Sequence, residues 1–168
     1  MMYNRAMKSD VRILQSSAIL STDRVYRYSL IRTWNDALPR VCFIMLNPST
    51  ADETLEDPTI RRCVKFSESW EFGSLEVVNL YAYRSHNPCS LLVVNDPVGR
   101  ENDKHIHAAV RRAKMTVVAW GTHGHRGPLR RDVLPLVQIA HCIGVTKSGA
   151  PRHPLYVHSS ALPSIYIG

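Results

Sequence analysis

A chain of 168 residues is long enough for one domain with a sizeable core. Its 45% hydrophobic and 21% charged residues exclude a disordered chain. No apolar run approaches the roughly 20 residues that span a bilayer, and the N-terminus, which carries Arg5, Lys8 and Arg12, lacks the apolar stretch and small-residue cleavage site of a signal peptide. A cytoplasmic protein with no membrane partner is therefore expected. The net charge of +7 favours a polyanionic partner, because basic side chains that neutralise phosphates release condensed counterions. On charge alone RNA, DNA and anionic lipid all remain open.

Residues 1–22 read as an irregular or partly helical leader ahead of a single α/β domain over residues 23–168. RVYRYSLIRTW (24–34) alternates aromatic or aliphatic with basic residues, which predicts an exposed strand. RVCFIML (40–46) is almost wholly apolar and predicts a strand buried on both faces. The polar run 47–58 is too rich in turn formers for a strand. Asp57 and Pro58 then read as N-cap and first position of a helix over 58–70, with Ile60, Cys63, Val64 and Phe66 inward and Gly73 as its stop. A strand over 75–83, a long connection over 84–102 with room for a short helix, a helix to Arg112 and a buried strand over 115–121 follow. The loop THGHRG leads to a helix expected over 128–141 and kinked or split at Pro135. A last short strand over 142–145 and a loop over 146–156 complete the pattern. Buried runs alternating with helices predict a three-layer α/β/α fold with a short, mostly parallel central sheet.

The four cysteines, Cys42, Cys63, Cys89 and Cys142, are far apart and form no CxxC pair. Free thiols are expected, with Cys42 and Cys142 in the core. His105, His107, His123 and His125 show only HxH spacing, with no HExxH or Cys companion, so no metal is expected.

The residues with chemistry sit at the strand ends, where open α/β sheets bind ligands. In MLNPST (45–50), Asn47 offers an amide donor pair and a carbonyl acceptor, although Asn-Pro is also an ordinary turn initiator. In VVNLYAY (77–83), Asn79 can read a base edge bidentately and Tyr81 and Tyr83 can supply a stacking face. Strand-end capping and core aromatics are the plainer reading. In GAPRHPLY (149–156), His153 lies between Pro151 and Pro154 on a rigid loop, placed to donate to a developing anion or simply exposed on the surface.

The order of these motifs carries a resemblance. MLNPS, VVNLY, VVAWGTHG and RHPLY resemble, in sequence, the motifs of the uracil-DNA glycosylase superfamily. Closer still, LNPSTADETLEDPTIRRC and GAPRHPLY look like an uncharacterised bacterial and phage family, domain of unknown function 1643, from which no activity can be carried over. The superfamily resemblance implies a DNA glycosylase that flips and excises uracil or a modified pyrimidine, with DNA (single- or double-stranded) as partner and no cofactor. Asn47 would place the attacking water, with Pro48 and Ser49 beside the substrate. Asn79 and Tyr81 would hold the base, and His153 would stabilise its departing charge, a contribution of about 3 kcal/mol. Thr122, His123, Arg126, Arg130 and Arg152 would face DNA, with a phosphate clamp at a helix N-terminus. Leu155 and Tyr156 would wedge into the hole left by the flipped nucleotide. A monomer is expected.

Three departures stand out. Met45-Leu46 replaces a glycine, HPLY replaces HPS, and the acidic stretch ADETLED (51–57) follows the first motif. An amide at position 47 is no effective general base. These points leave two other expectations in play: an inactive protein that binds nucleic acid or a modified base, and a metal-dependent hydrolase or transferase of free nucleotides, with the acidic stretch holding the cation.

Overall fold

Short apolar runs without polar alternation must be covered on both faces, and they build the centre of this sheet. In the computed structural model, which describes residues 11–168, the chain runs β1 (Gln15–Leu20), β2 (Arg27–Thr33), β3 (Arg40–Met45), α1 (Pro58–Ser69), β4 (Ser74–Asn79), α2 (Asn102–Arg112), β5 (Met115–Val118), α3 (Gly121–His125), β6 (Ala140–Cys142) and β7 (Ser164–Ile165). Arg5 and Lys8 of the expected leader lie outside the described residues.

The strands form one seven-stranded sheet in the order β1-β2-β4-β3-β5-β6-β7. Its central pairs, β4–β3, β3–β5 and β5–β6, are parallel, while β1–β2, β2–β4 and β6–β7 are antiparallel. The sheet is therefore mixed, not mostly parallel as the patterning predicts. The reason lies at the two ends of the chain. Gln15–Leu20, expected as irregular leader, returns through a short connection into β2, and neighbours so joined must run antiparallel. Ser164–Ile165, too short to show a pattern, closes the other edge against β6.

Side chains alternate along β3: Cys42 and Ile44 enter one core cluster, and Val41, Phe43 and Met45 the other. α1 covers the second cluster with Ile60, Cys63, Val64 and Phe66, and α2 covers the first with Ile106 and Ala109. Each large apolar side chain buried in this way contributes about 1.5–3 kcal/mol. Asp57 caps α1 as expected, its carboxylate accepting from Ile60 N at 2.9 Å, with Pro58 at the first position. The left-handed residue after α1 is Glu71, at φ 64°, rather than Gly73. Gly73 is required for closeness instead: a Cβ there would lie 1.8 Å from Asn35 O.

Two further expectations are corrected. β2 is not exposed: lying between β1 and β4, it buries Arg27 to 2% and Arg32 to 1%. No helix spans 128–141. The segment has one-turn 3-10 pieces at Gly127–Leu129 and Leu134–Leu136 and then enters β6. Pro128 and Pro135 each remove a backbone donor, and too few residues separate them for a stable helix between. No helix among the described residues is long and apolar enough to cross a membrane.

Candidate active-site cleft

The carboxyl ends of β3 and β5 open into a cleft of about 550 Å³. β3 contributes Met45 and, just beyond it, Leu46, Asn47 and Ser49. The start of α1 contributes Asp57, Thr59 and Ile60, and the loop after β4 contributes Ser85, His86 and Pro88. Gly121, Thr122 and His123 of α3, then His153 and Tyr156, complete the lining, and Arg27 enters from β2. A volume of this order suits one small-molecule-sized group.

Asn47 is fixed by its own backbone surroundings. Its Nδ2 donates to Ser85 O at 2.8 Å and Pro48 O at 3.1 Å. Two carbonyl acceptors identify that atom as the nitrogen, which leaves Oδ1 as an acceptor. Beside it, Ser49 Oγ and His86 Nδ1 are 2.7 Å apart.

His153 is positioned by the turn that follows it. Its Nδ1 accepts from Leu155 N at 3.4 Å, which puts the proton of the neutral ring on Nε2. Burial lowers its pKa from the ordinary histidine value, and the nearby Asp57 carboxylate opposes that shift. The ring is therefore a neutral donor. Gly121 connects this wall to β5: its N–H donates to Pro151 O at 2.9 Å, and its φ of 72° suits glycine.

Arg27 was not among the residues expected here. Its Nη1 donates to Ala51 O at 2.6 Å and its Nη2 to Asn79 Oδ1 at 3.4 Å. Burial depresses its pKa to about 10, Asp57 being the strongest opposing influence. Asp57 and His86 were also missed as cleft residues. Asp57 was expected as the cap of the helix and as part of the acidic stretch, not as a cleft carboxylate in its own right. No sequence signal distinguished Arg27 from the other basic residues of its alternating run.

The other expected site residues divide. Asn47, Ser49, Thr122, His123, His153 and Tyr156 line the cleft. Asn79 is 1% exposed and stands behind Arg27 rather than in the wall. Tyr81, 6% exposed, packs in the core cluster with Leu80 and Trp120, so it offers no stacking face to the cleft. Pro48 is buried and serves through its carbonyl, which accepts from Asn47 and from Ser85 N. Leu155 and Tyr156 are exposed, Tyr156 to 77%, and only the tyrosine reaches the cleft. Arg126 and Arg152 are exposed and donate to Ser148 O and Val145 O. Arg130 borders a different hollow, beside Trp120 and Tyr166. The clamp expected at a helix N-terminus has no helix over 128–141 to supply it.

Three of the four carboxylates of the acidic stretch pair with the protein's own arginines, and the fourth, Asp57, caps α1. Asp52 pairs with Arg24 at 3.2 Å and Arg84 at 3.9 Å, Glu53 with Arg24 at 3.1 Å, and Glu56 with Arg32 at 2.6 Å. Hydrogen bonds from Leu55 and Thr54 help lower the Asp52 pKa to about 2, so it stays ionised in this structural role. Among the described residues no group of three or more His, Cys, Asp or Glu is placed to hold a metal. His105 stacks on Tyr28 with ring centroids 5.1 Å apart, and His125 meets Ser148 O.

A larger cleft of about 610 Å³ lies at the amino end of β5, lined by His107, Arg111, Lys114 and His141 among others, and it gathers none of the strand-end motifs.

Comparison with curated proteins gives no significant match, and neither does comparison with solved structures. The family described as Protein of unknown function (DUF1643) matches residues 27–155, from the buried arginine of β2 to the turn after His153. That stretch makes up most of the chain and contains every cleft residue except Tyr156, and on this match the protein belongs to the DUF1643 family.

Proposed function

We propose that the protein is an N-glycosidase that takes a flipped base of DNA into the cleft between Asn47 and His153. The observation that carries the reading is the presence of both residues in the lining of one cleft. Asn47 presents an oriented acceptor and His153 a neutral, oriented donor, and both line one cleft although they are far apart in sequence. The resemblance to the uracil-DNA glycosylase superfamily, which rests on motif order alone, gives the same two residues these roles.

The chemistry follows from the donors and acceptors present. Asn47 Oδ1 accepts a hydrogen bond from the attacking water and so places its oxygen at the anomeric carbon. Asp57, a carboxylate in the same cleft, supplies the basic group that an amide lacks. As the N-glycosidic bond breaks, its electron pair leaves with the base, and the water oxygen bonds the sugar carbon. The water proton passes to Asp57 and then to solvent. His153 Nε2–H donates to the charge that develops on the base, which is worth about 3 kcal/mol in a preorganised site. Thr122, His123 and Tyr156 stand at the mouth, where a nucleic-acid backbone enters. Asn79 acts at one remove, through Arg27.

The test is incubation of the protein, with chelator, with oligonucleotides containing uracil, thymine mismatches or hypermodified pyrimidines, followed by alkali to cut abasic sites. Cleavage at one base that His153→Ala abolishes supports the reading. Salt-sensitive binding with no abasic product across the panel replaces it with a nucleic-acid binding protein that does not cleave.

A further inference from the structure

Arg27 is nearly fully buried, yet it lines the cleft, and its hydrogen bonding is incomplete. A guanidinium has five N–H donors. The two contacts that Arg27 makes, to Ala51 O and Asn79 Oδ1, are to neutral acceptors. Its Nε has no partner among the described residues, and neither has Nδ2 of the adjoining Asn79. Two buried donors thus stand unpaired, one on Arg27 at the cleft and one on Asn79 behind it.

The contrast with the ion-paired arginines, among them the equally buried Arg32, is informative. Arg24, Arg32, Arg40, Arg84, Arg112 and Arg131 each have a carboxylate at ion-pair distance. Arg27 has none among the described residues. Asp57, the carboxylate that most favours the charged form of Arg27, uses Oδ1 to cap α1 through Ile60 N. A buried cation without a counterion is costly, and an anion entering the cleft would compensate it. The planar fork of a guanidinium matches the oxygens of a phosphate or carboxylate.

We propose that Arg27, held by Asn79, anchors an oxyanion of the ligand, so that the cleft takes a substrate carrying a phosphate or a carboxylate close to its base. The proposal rests on the cleft being the substrate site and deepens that reading by naming the substrate's charge. It concerns binding and does not require that a bond be cut. The oxyanion has two sources: a nucleotide phosphate, or a carboxylate appended to a modified base.

Calorimetric titration separates them. The probes are 2′-deoxyuridine, its 5′-monophosphate, 5-carboxy-2′-deoxyuridine and inorganic phosphate, with chloride at matched ionic strength. At least one anionic nucleoside binds about tenfold or more tighter than 2′-deoxyuridine, and inorganic phosphate competes with it. A preference for the monophosphate assigns the phosphate source, and a preference for the 5-carboxy compound assigns the carboxylate. In Arg27→Gln the preference disappears. Should that variant not fold, Arg27→Lys keeps the charge and loses the fork, and it narrows the preference while circular dichroism stays native. Equal affinity for neutral and anionic probes, no binding of any of them, or an unchanged preference in both variants overturns the proposal. Anion preference without abasic-site formation leaves Arg27 in place and removes only the glycosidase. Abasic-site formation without anion preference does the reverse.

Discussion

Glu76 and Arg27 are buried charges in adjoining strands of one sheet, and their surroundings differ. Glu76, at 0% exposure in β4, accepts from Arg112 at 2.7 and 3.2 Å, from Arg40 at 3.4 Å and from Ser29 Oγ at 2.8 Å. Arg27, at 2% exposure in β2, has only a backbone carbonyl and an amide oxygen, and it borders the cleft. The carboxylate is surrounded by opposite charge because it holds β2, β3, β4 and α2 together. The guanidinium has an Nε unpartnered among the described residues and belongs to the lining of the cleft. A buried charge fully answered by its own chain is structural, and one answered by neutral groups at a cleft is available for binding.

The largest expected effect is on the Glu76 side. The double variant Arg40→Ala/Arg112→Ala leaves a fully buried carboxylate with one hydroxyl partner, and it should cost about 3–5 kcal/mol in urea unfolding. Glu76→Gln should cost less, because Arg40 and Arg112, with side chains 27% and 45% exposed, can turn towards water. If the double variant costs under about 1 kcal/mol, Glu76 is hydrated in solution and the comparison fails.

A closer comparison lies within β2. Arg32 donates to the Glu56 carboxylate and to the carbonyls of Asp52 and Leu55, so it fixes the loop after β3. Arg32→Met should therefore cost about 3 kcal/mol. Arg27→Met removes an unpaired buried cation and should change stability by about 1 kcal/mol or less. Equal losses would mean that Arg27 is a structural brace like Arg32.

This distinction was not legible in the sequence. Both arginines belong to an alternating run that reads as an exposed strand, and exposure would have made them equivalent. Alternation reports burial only when one face of the sheet meets water. β1 and β4 flank β2, and the loop over 47–57 folds back onto its arginines. The buried runs of β3, β4 and β5, the Asp57–Pro58 start of α1 and the extent of α2 were legible, because local propensity and burial agree there. The strand from the expected leader and the absence of a helix over 128–141 were not, because long-range pairing decides the first and paired prolines outweigh helical spacing in the second. At the cleft, Asn47 and His153, which motif order singled out, line the same opening. Motif order misplaced Tyr81 and Asn79, because a strand-end position does not say which side chain faces the opening.

The next effect falls on rate and leaves stability largely alone. Under the proposed function, His153→Ala should slow base release about a hundredfold, measured under single-turnover conditions. Burial lowers the His153 pKa, so its neutral donor form persists below pH 6.5. The acid limb of the rate profile should lie below the ordinary histidine value and be absent in His153→Ala. The sign for stability is the same: the unfolded chain takes up the proton first as pH falls. The contribution of neutral His153 is thus present above pH 6.5 and lost as pH drops through the folded pKa. A limb above pH 6.5 would mean that Asp57 outweighs burial and that the ring is a cation.

The smallest effect tests how rigidly that wall is held. Gly121 has φ 72° at the start of α3, and its N–H donates to Pro151 O two residues before His153. A Cβ at this position would meet His153 Cβ at 3.8 Å, an ordinary contact, so Gly121→Ala carries backbone strain with no clash. The expected loss is about 1–2 kcal/mol in urea unfolding. If the strain is absorbed locally, the rate is unchanged and the His153 wall is held by the bridge between Val145 and Pro151. If instead the strain breaks the hydrogen bond to Pro151, the rate falls further than the small stability loss suggests. The Arg27 side of the cleft, anchored on β2, should bind anions as before. That split between rate and anion binding would separate the two walls of the cleft energetically.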